Sequence, residues 1–275
     1  MAIKVTHFSG LFYSGRVEGA GINTVEKIIG FLASVFMALL LLNLPLHAQG
    51  WEWPEKPKNI QVLSKDITGA RLGFPMKGFT RALGVRCSYC HVGEEGKPLS
   101  TYDFASDGNP NKNRAREMLR MLGSINDHLK KIKPSGDQRV NMWCHTCHRG
   151  LARPITLSAQ LKETYRTEGL DASLTKYSEL KEKYYGKGAY QFGEGALNEL
   201  GYEVLKKENP EEAVKAFKLN SKEYPESGNV WDSLADGYMQ AGDKKNAKKY
   251  YRKSLKFSPN NQNAKDMLKK LGEKE

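Results

Sequence analysis

Four cysteines, Cys87, Cys90, Cys144 and Cys147, stand in two C-x-x-C pairs, and His91 and His148 each follow the second cysteine of a pair. Two thiols three positions apart on a tight turn can each add to one vinyl group of the same porphyrin. The next side chain then ligates the iron from one face. The spacing therefore predicts two haem c groups, one on Cys87 and Cys90 with His91 as axial ligand, the other on Cys144 and Cys147 with His148. No cysteine remains for a disulfide or a free thiol. Zinc is the first rival, but 53 residues separate the pairs, far beyond the usual ribbon spacing. A redox-active dithiol is the second. Both leave the repeated histidine unexplained.

The sixth ligand decides whether such an iron is closed or open to small molecules. Beyond His47 the histidines are His91, His128, His145 and His148. Two are already assigned, so a second imidazole at both irons is stretched, and His128 and His145 read as surface residues. Methionines are better placed. Pro75 suits the first turn of a helix and Gly84 its end. Met76, Phe79 and Leu83 fall at i, i+3 and i+7, on one face. A chain turning at Gly84 would bring Cys87 and His91 back past that face, with Met76 above the porphyrin; the alternative for Met76 is plain packing in an apolar core. A second helix is predicted from about Asn113 to Ile132, where Ala115, Met118, Leu122, Ile125, Leu129 and Ile132 form an apolar stripe. Periodicity places Met118 in that stripe as core and leaves Met121, on its edge, free to reach a ligand. Arginine suits carboxylate pairing, and Arg86 and Arg149 beside the motifs are the nominated partners of haem propionates, with solvated surface charge as the alternative.

The stretches GFTRALGVRCSYCH, AREMLRMLGSIN and CHTCHRG resemble the cytochrome subunit of bacterial photosynthetic reaction centres. The shared pattern is a helix bearing a methionine, a turn ending in glycine, then the haem motif, over roughly residues 58–155. In that family the helix methionine is the sixth ligand of most haems, which implies Met76 for the first haem. The family's methionine sits five residues before an asparagine, and Asn126 thereby implies Met121 rather than Met118 for the second. The photosynthetic subunit carries four haems, whereas this chain has motifs for two and lacks the lipid-anchor cysteine often found there. It looks like one half of that subunit.

Residues 28–46 carry no charge, Lys27 precedes them, and Pro45 and Ala48 close the run. This pattern predicts an export signal cleaved after Ala48, or a retained membrane anchor, within residues 1–48. Either one carries the rest of the chain across the membrane, to the periplasm. The net charge is +12 and unevenly spread: residues 49–154 hold 18 basic and 10 acidic side chains, residues 155–275 hold 22 and 19. No nucleic-acid motif accompanies the charge; a solvated surface is the plain reading, and neutralising propionates and steering toward an acidic redox partner are the functional ones.

Residues 157–193 read as a helical connector. After it, residues 196–229 align with residues 230–263: Ala213 meets Ala247, Phe217 meets Tyr251 and Pro225 meets Pro259, each 34 residues apart. This resembles the tetratricopeptide repeat, two helices per unit, with AKDMLKKL as a capping helix. The expected architecture is mainly α: a dihaem cytochrome c domain over 49–156, the connector, and a short repeat domain over 194–275. The expected function is electron transfer without a substrate, with redox proteins docked by the basic haem domain or the repeat groove and no nucleic-acid partner. The alternatives are a dihaem enzyme of the peroxidase kind, and a repeat scaffold whose haems are structural.

Overall fold

The computed structural model describes residues 51–133 and 140–272. The expected signal or anchor segment lies outside the described residues. Among those described, no helix is long and apolar enough to cross a membrane, and no strand forms beyond a single bridge between Val92 and Asp103. Residues from Glu52 onward form one compact unit.

Three helices belong to the cysteine-bearing region: α1 (Gly69–Leu83), α2 (Pro110–Leu129) and α3 (Cys144–His148). The start of α1 differs from the sequence expectation. Pro75 lies inside the helix rather than in its first turn. The helix is pulled upstream by tertiary contact: Leu72 and Gly73 are buried, and a Cβ on Gly73 would come within 2.7 Å of the Trp53 indole. The Gly69 N–H also donates to the Pro54 carbonyl at 3.1 Å. These contacts offset the hydrogen bond that Pro75 cannot make. The end of α1 falls where the sequence puts it. Gly84 adopts φ 66°, and its N–H caps the Thr80 carbonyl.

Helix α2 starts three residues before the expected Asn113. The Asn109 side chain accepts from the Asn111 N–H at 3.0 Å and Pro110 fills the first helical position. The helix stops at Leu129, so Ile132 is beyond it and exposed.

Among the described residues the other α-helices are α4 (Leu157–Glu168), α5 (Leu170–Tyr184), α6 (Glu194–Leu205), α7 (Pro210–Glu223), α8 (Gly228–Gln240), α9 (Lys244–Phe257) and α10 (Gln262–Lys270). The residues paired across the repeat occupy equivalent places: Ala213, Ala247, Phe217 and Tyr251 are all fully buried. Gly201 has no side chain because a Cβ there would run into the Phe217 ring. Residues 157–193 contain the helices α4 and α5, and their Leu157, Leu161, Leu170 and Tyr177 join the same apolar cluster as Leu197, Leu200 and Phe217. The connector is thus packed, not strung, against the first repeat helix. Ala264 and Leu268 of α10 close the other end over Ala247 and Tyr251.

Candidate haem-binding site

The first motif forms a 3-10 turn, Cys87–Tyr89, in which the His91 N–H donates to the Cys87 carbonyl at 3.0 Å. Two amides at the start of α2 hold it: Asn109 Nδ2 donates to the Ser88 carbonyl at 3.2 Å and Asn111 Nδ2 to the Tyr89 carbonyl at 3.0 Å. The His91 ring meets Phe104 edge-on with centroids 4.9 Å apart, and Phe104 stacks on Tyr102. Its Nδ1 is buried beside the Phe104 backbone. Burial, then the Lys112 ammonium, pull the imidazole below its ordinary pKa. The ring is therefore neutral at neutral pH, the form that ligates iron.

The second motif is helix α3, where Thr146 Oγ1 accepts from the Trp143 N–H at 3.1 Å. His148 is buried, with Nδ1 at 2.8 Å from the Leu151 carbonyl. A carbonyl can only accept, so Nδ1 carries the proton and Nε2 keeps a lone pair for a metal. Arg149 turns the chain at φ 48°.

The two motifs are tied together. The Gly150 N–H donates to the Ala82 carbonyl at 2.8 Å, and a Cβ on Gly84 would strike the Gly150 carbonyl oxygen. Gly84 lies three residues before Cys87, and Gly150 three after Cys147. At roughly 3.5 Å per residue, chain reach keeps these thiols within about 25 Å of each other. Helix α2 adds a second tie. Asn126 bonds Met142 in both directions, Nδ2 to its carbonyl at 3.0 Å and Oδ1 from its N–H at 2.8 Å. One helix thereby anchors the first motif at its start and the approach to the second near its end.

The methionines lie as follows. Met76 is half-buried on α1, the helix that packs against α3. Met121 is 48 % exposed. Met118 is 42 % exposed, so the core position that periodicity gave it is not occupied. Among the described residues α2 has no extensive packing against another helix. Its buried residues are Lys112 and Arg116, and its apolar stripe is only half-covered: Ala115, Leu122, Ile125 and Leu129 are half-buried while Met118 and Ile132 are exposed. Arg86 is exposed and paired with Glu95 at 2.9 Å; Arg149, His128 and His145 are exposed.

Four observations test whether these residues fit haem. The four cysteines are unpaired. Burial, before any other cause, raises the thiols of Cys90 and Cys144, which is unlike the low-pKa thiolate of a redox dithiol. Among the described residues no three of His, Cys, Asp and Glu converge on a common point, as a zinc site built from both pairs would require. Before residue 157 the buried apolar side chains are Leu72, Ala82 and Leu151 alone among the described residues, while Phe74, Val92, Met118, Met121, Val140 and Trp143 are exposed. A region of this size with so few buried apolar side chains matches one whose core is completed by a large apolar group. The residues fit.

Sequence reasoning missed Phe104, Asp107, Lys112 and Arg116 around His91. The signal was present in Lys112 and Arg116, which share one helix face at i, i+4, but such a pair reads first as solvated charge.

Residues 47–183 match the family model described as photosynthetic reaction centre cytochrome C subunit, and residues 228–261 match the tetratricopeptide repeat model. The first match runs through α4 and into α5. Cytochrome c-554 from Chloroflexus aurantiacus (strain ATCC 29366 / DSM 635 / J-10-fl) is 35 % identical over 91 residues, which make up 33 % of this chain and 20 % of that protein. The chain thus spans a fifth of the length of that curated relative. Among solved structures, PcrH from Pseudomonas aeruginosa overlays with a TM-score of 0.28 at 13 % identity, covering 42 % of this chain and 83 % of that one.

Proposed function

We propose that this chain, in which a cytochrome c domain of the photosynthetic reaction-centre subunit family precedes a tetratricopeptide repeat, carries two covalent haems and passes electrons between redox proteins outside the cytoplasm. The observation that supports the reading best is the pairing of two C-x-x-C-H turns, one with His148 buried and the other with His91 half-buried and its Nδ1 enclosed, in a region whose described residues have almost no apolar core of their own. Bound haem would supply an iron that cycles between ferrous and ferric states. The chain's residues do the rest. Cys87, Cys90, Cys144 and Cys147 fix the porphyrins by thioether bonds. The Leu151 carbonyl holds the His148 tautomer, and burial keeps His91 neutral. Met76 and Met121 would supply the remaining iron ligands, which would keep small molecules out and leave electron transfer as the chemistry.

The excess of basic side chains over residues 49–154 steers acidic redox partners toward the haem domain, and the repeats offer a second docking surface. Residues 28–46 direct the chain to the periplasm and either leave as a signal or hold it at the membrane. Carbon monoxide binding to the reduced holoprotein tests this reading. Slow or absent binding is expected at both irons. Rapid binding at one iron would put a peroxidase-like enzyme in place of the carrier.

A further inference from the structure

We propose that Lys112 and Arg116, buried on α2 beside His91, hold the haem of the first motif at a higher reduction potential than that of the second, so that an electron entering the pair settles on the first. The inference rests on the two-haem reading above and assigns a direction to it.

Two buried cations and one half-exposed carboxylate gather beside His91. Lys112 Nζ donates to the carbonyls of Phe104, Ala105 and Ser106 at 3.0, 2.9 and 2.8 Å, and Phe104 is the residue whose ring abuts His91. The ammonium is thus one residue removed from the imidazole. Arg116 Nη2 donates to the Asn59 carbonyl at 3.2 Å. Both cations pair with one carboxylate, Asp107, at 3.0 and 2.9 Å. The side chains of Lys112 and Arg116 are 11 % and 9 % exposed, but that of Asp107 is 38 % exposed. Two positive charges therefore sit on the protein side of the cluster and one negative charge on the water side. Water screens the anion more than the cations, so the net field at the imidazole is positive.

Oxidation of a ferrous iron adds one positive charge, and a nearby buried cation opposes it. Among the described residues the second motif has no counterpart. His148 is held by a neutral carbonyl, and among the described residues Lys112 and Arg116 are the buried lysine and arginine of the chain. The electron balance is simple: the second haem's ferrous iron is oxidised and the first haem's ferric iron is reduced, with no proton or further reactant.

Potentiometric titration of the holoprotein tests this. The wild type should show two one-electron waves. Lys112→Met should lower the upper wave by about tenfold in its oxidation equilibrium, about 59 mV for one electron, and leave the lower wave in place. Asp107→Asn should raise the upper wave. That opposite sign separates the field effect from loosening of the fold, which would move both variants the same way. An upper wave that stays put in both variants, or a lower wave that moves instead, overturns the inference. Protein with no Soret band would overturn the two-haem reading itself.

Discussion

The two halves of this molecule solve the problem of a core differently. From Leu157 onward the helices bury their own side chains: Leu161, Leu197, Leu200, Phe217, Leu234 and Tyr251 are almost completely enclosed. Before Leu157 the described residues enclose little beyond Leu72, Ala82 and Leu151 and leave Phe74, Met118, Met121 and Trp143 exposed. Their order comes from polar ties instead: the Asn109 and Asn111 amides on the first motif, the Asn126 pair on Met142, the Lys112–Asp107–Arg116 cluster, and the Gly150 bond to Ala82. The region from Leu157 onward has a continuous side-chain core. The cytochrome region has the turns and anchors of a region that folds around covalently attached groups.

The contrast is broken most severely by withholding haem. Full-length protein made without a haem-attachment system should keep slow hydrogen exchange over residues 157–272 and lose it over residues 52–133. Equal protection of both regions would remove the distinction. Next in size, Phe217→Ala should cost about 3–5 kcal/mol of repeat stability in a denaturant melt and leave the optical spectrum of the haems unchanged. A spectral change would mean that the halves share one core.

A smaller effect is expected at the junction of the motifs. Gly84→Ala must adopt φ 66° and place a methyl against the Gly150 carbonyl. It should destabilise the cytochrome region by about 1–3 kcal/mol, read as a lower melting midpoint in the haem absorbance, with the repeats unaffected. The smallest effect is a pH dependence. Arg116, then Asn59 and Lys112, hold the Asp107 carboxyl well below the usual carboxylate range. A depressed folded pKa contributes stability that is present above the unfolded value of about 4. That stability is lost as pH falls toward the lower folded value. Asp107→Asn should therefore melt below the wild type at pH 6, with the gap closing as pH drops under about 4. A gap that widens in acid would contradict the cluster.

What the sequence made legible was local or periodic. The C-x-x-C-H turns need no tertiary contact to be recognised. Gly84 ends α1 because a positive φ favours glycine, and the 34-residue spacing of Phe217 and Tyr251 is a pattern in one dimension. What was hidden depends on contacts between distant segments. Trp53 against Gly73 moves the start of α1 upstream of Pro75. Met118 sits in a helical stripe that is only half-covered and is itself exposed, so periodicity assigned a core position that packing does not fill. Lys112 and Arg116 are buried because the 104–106 carbonyls and Asp107 receive them, and nothing in the spacing of two basic residues reveals that.

The measurement that bears most directly on the account is the intact mass and visible spectrum of the protein after export alongside a haem-attachment system. The account predicts the polypeptide mass plus two haems, both retained after acid extraction, with a Soret band that sharpens on reduction. A mass equal to the bare polypeptide, with no Soret absorption, would contradict it.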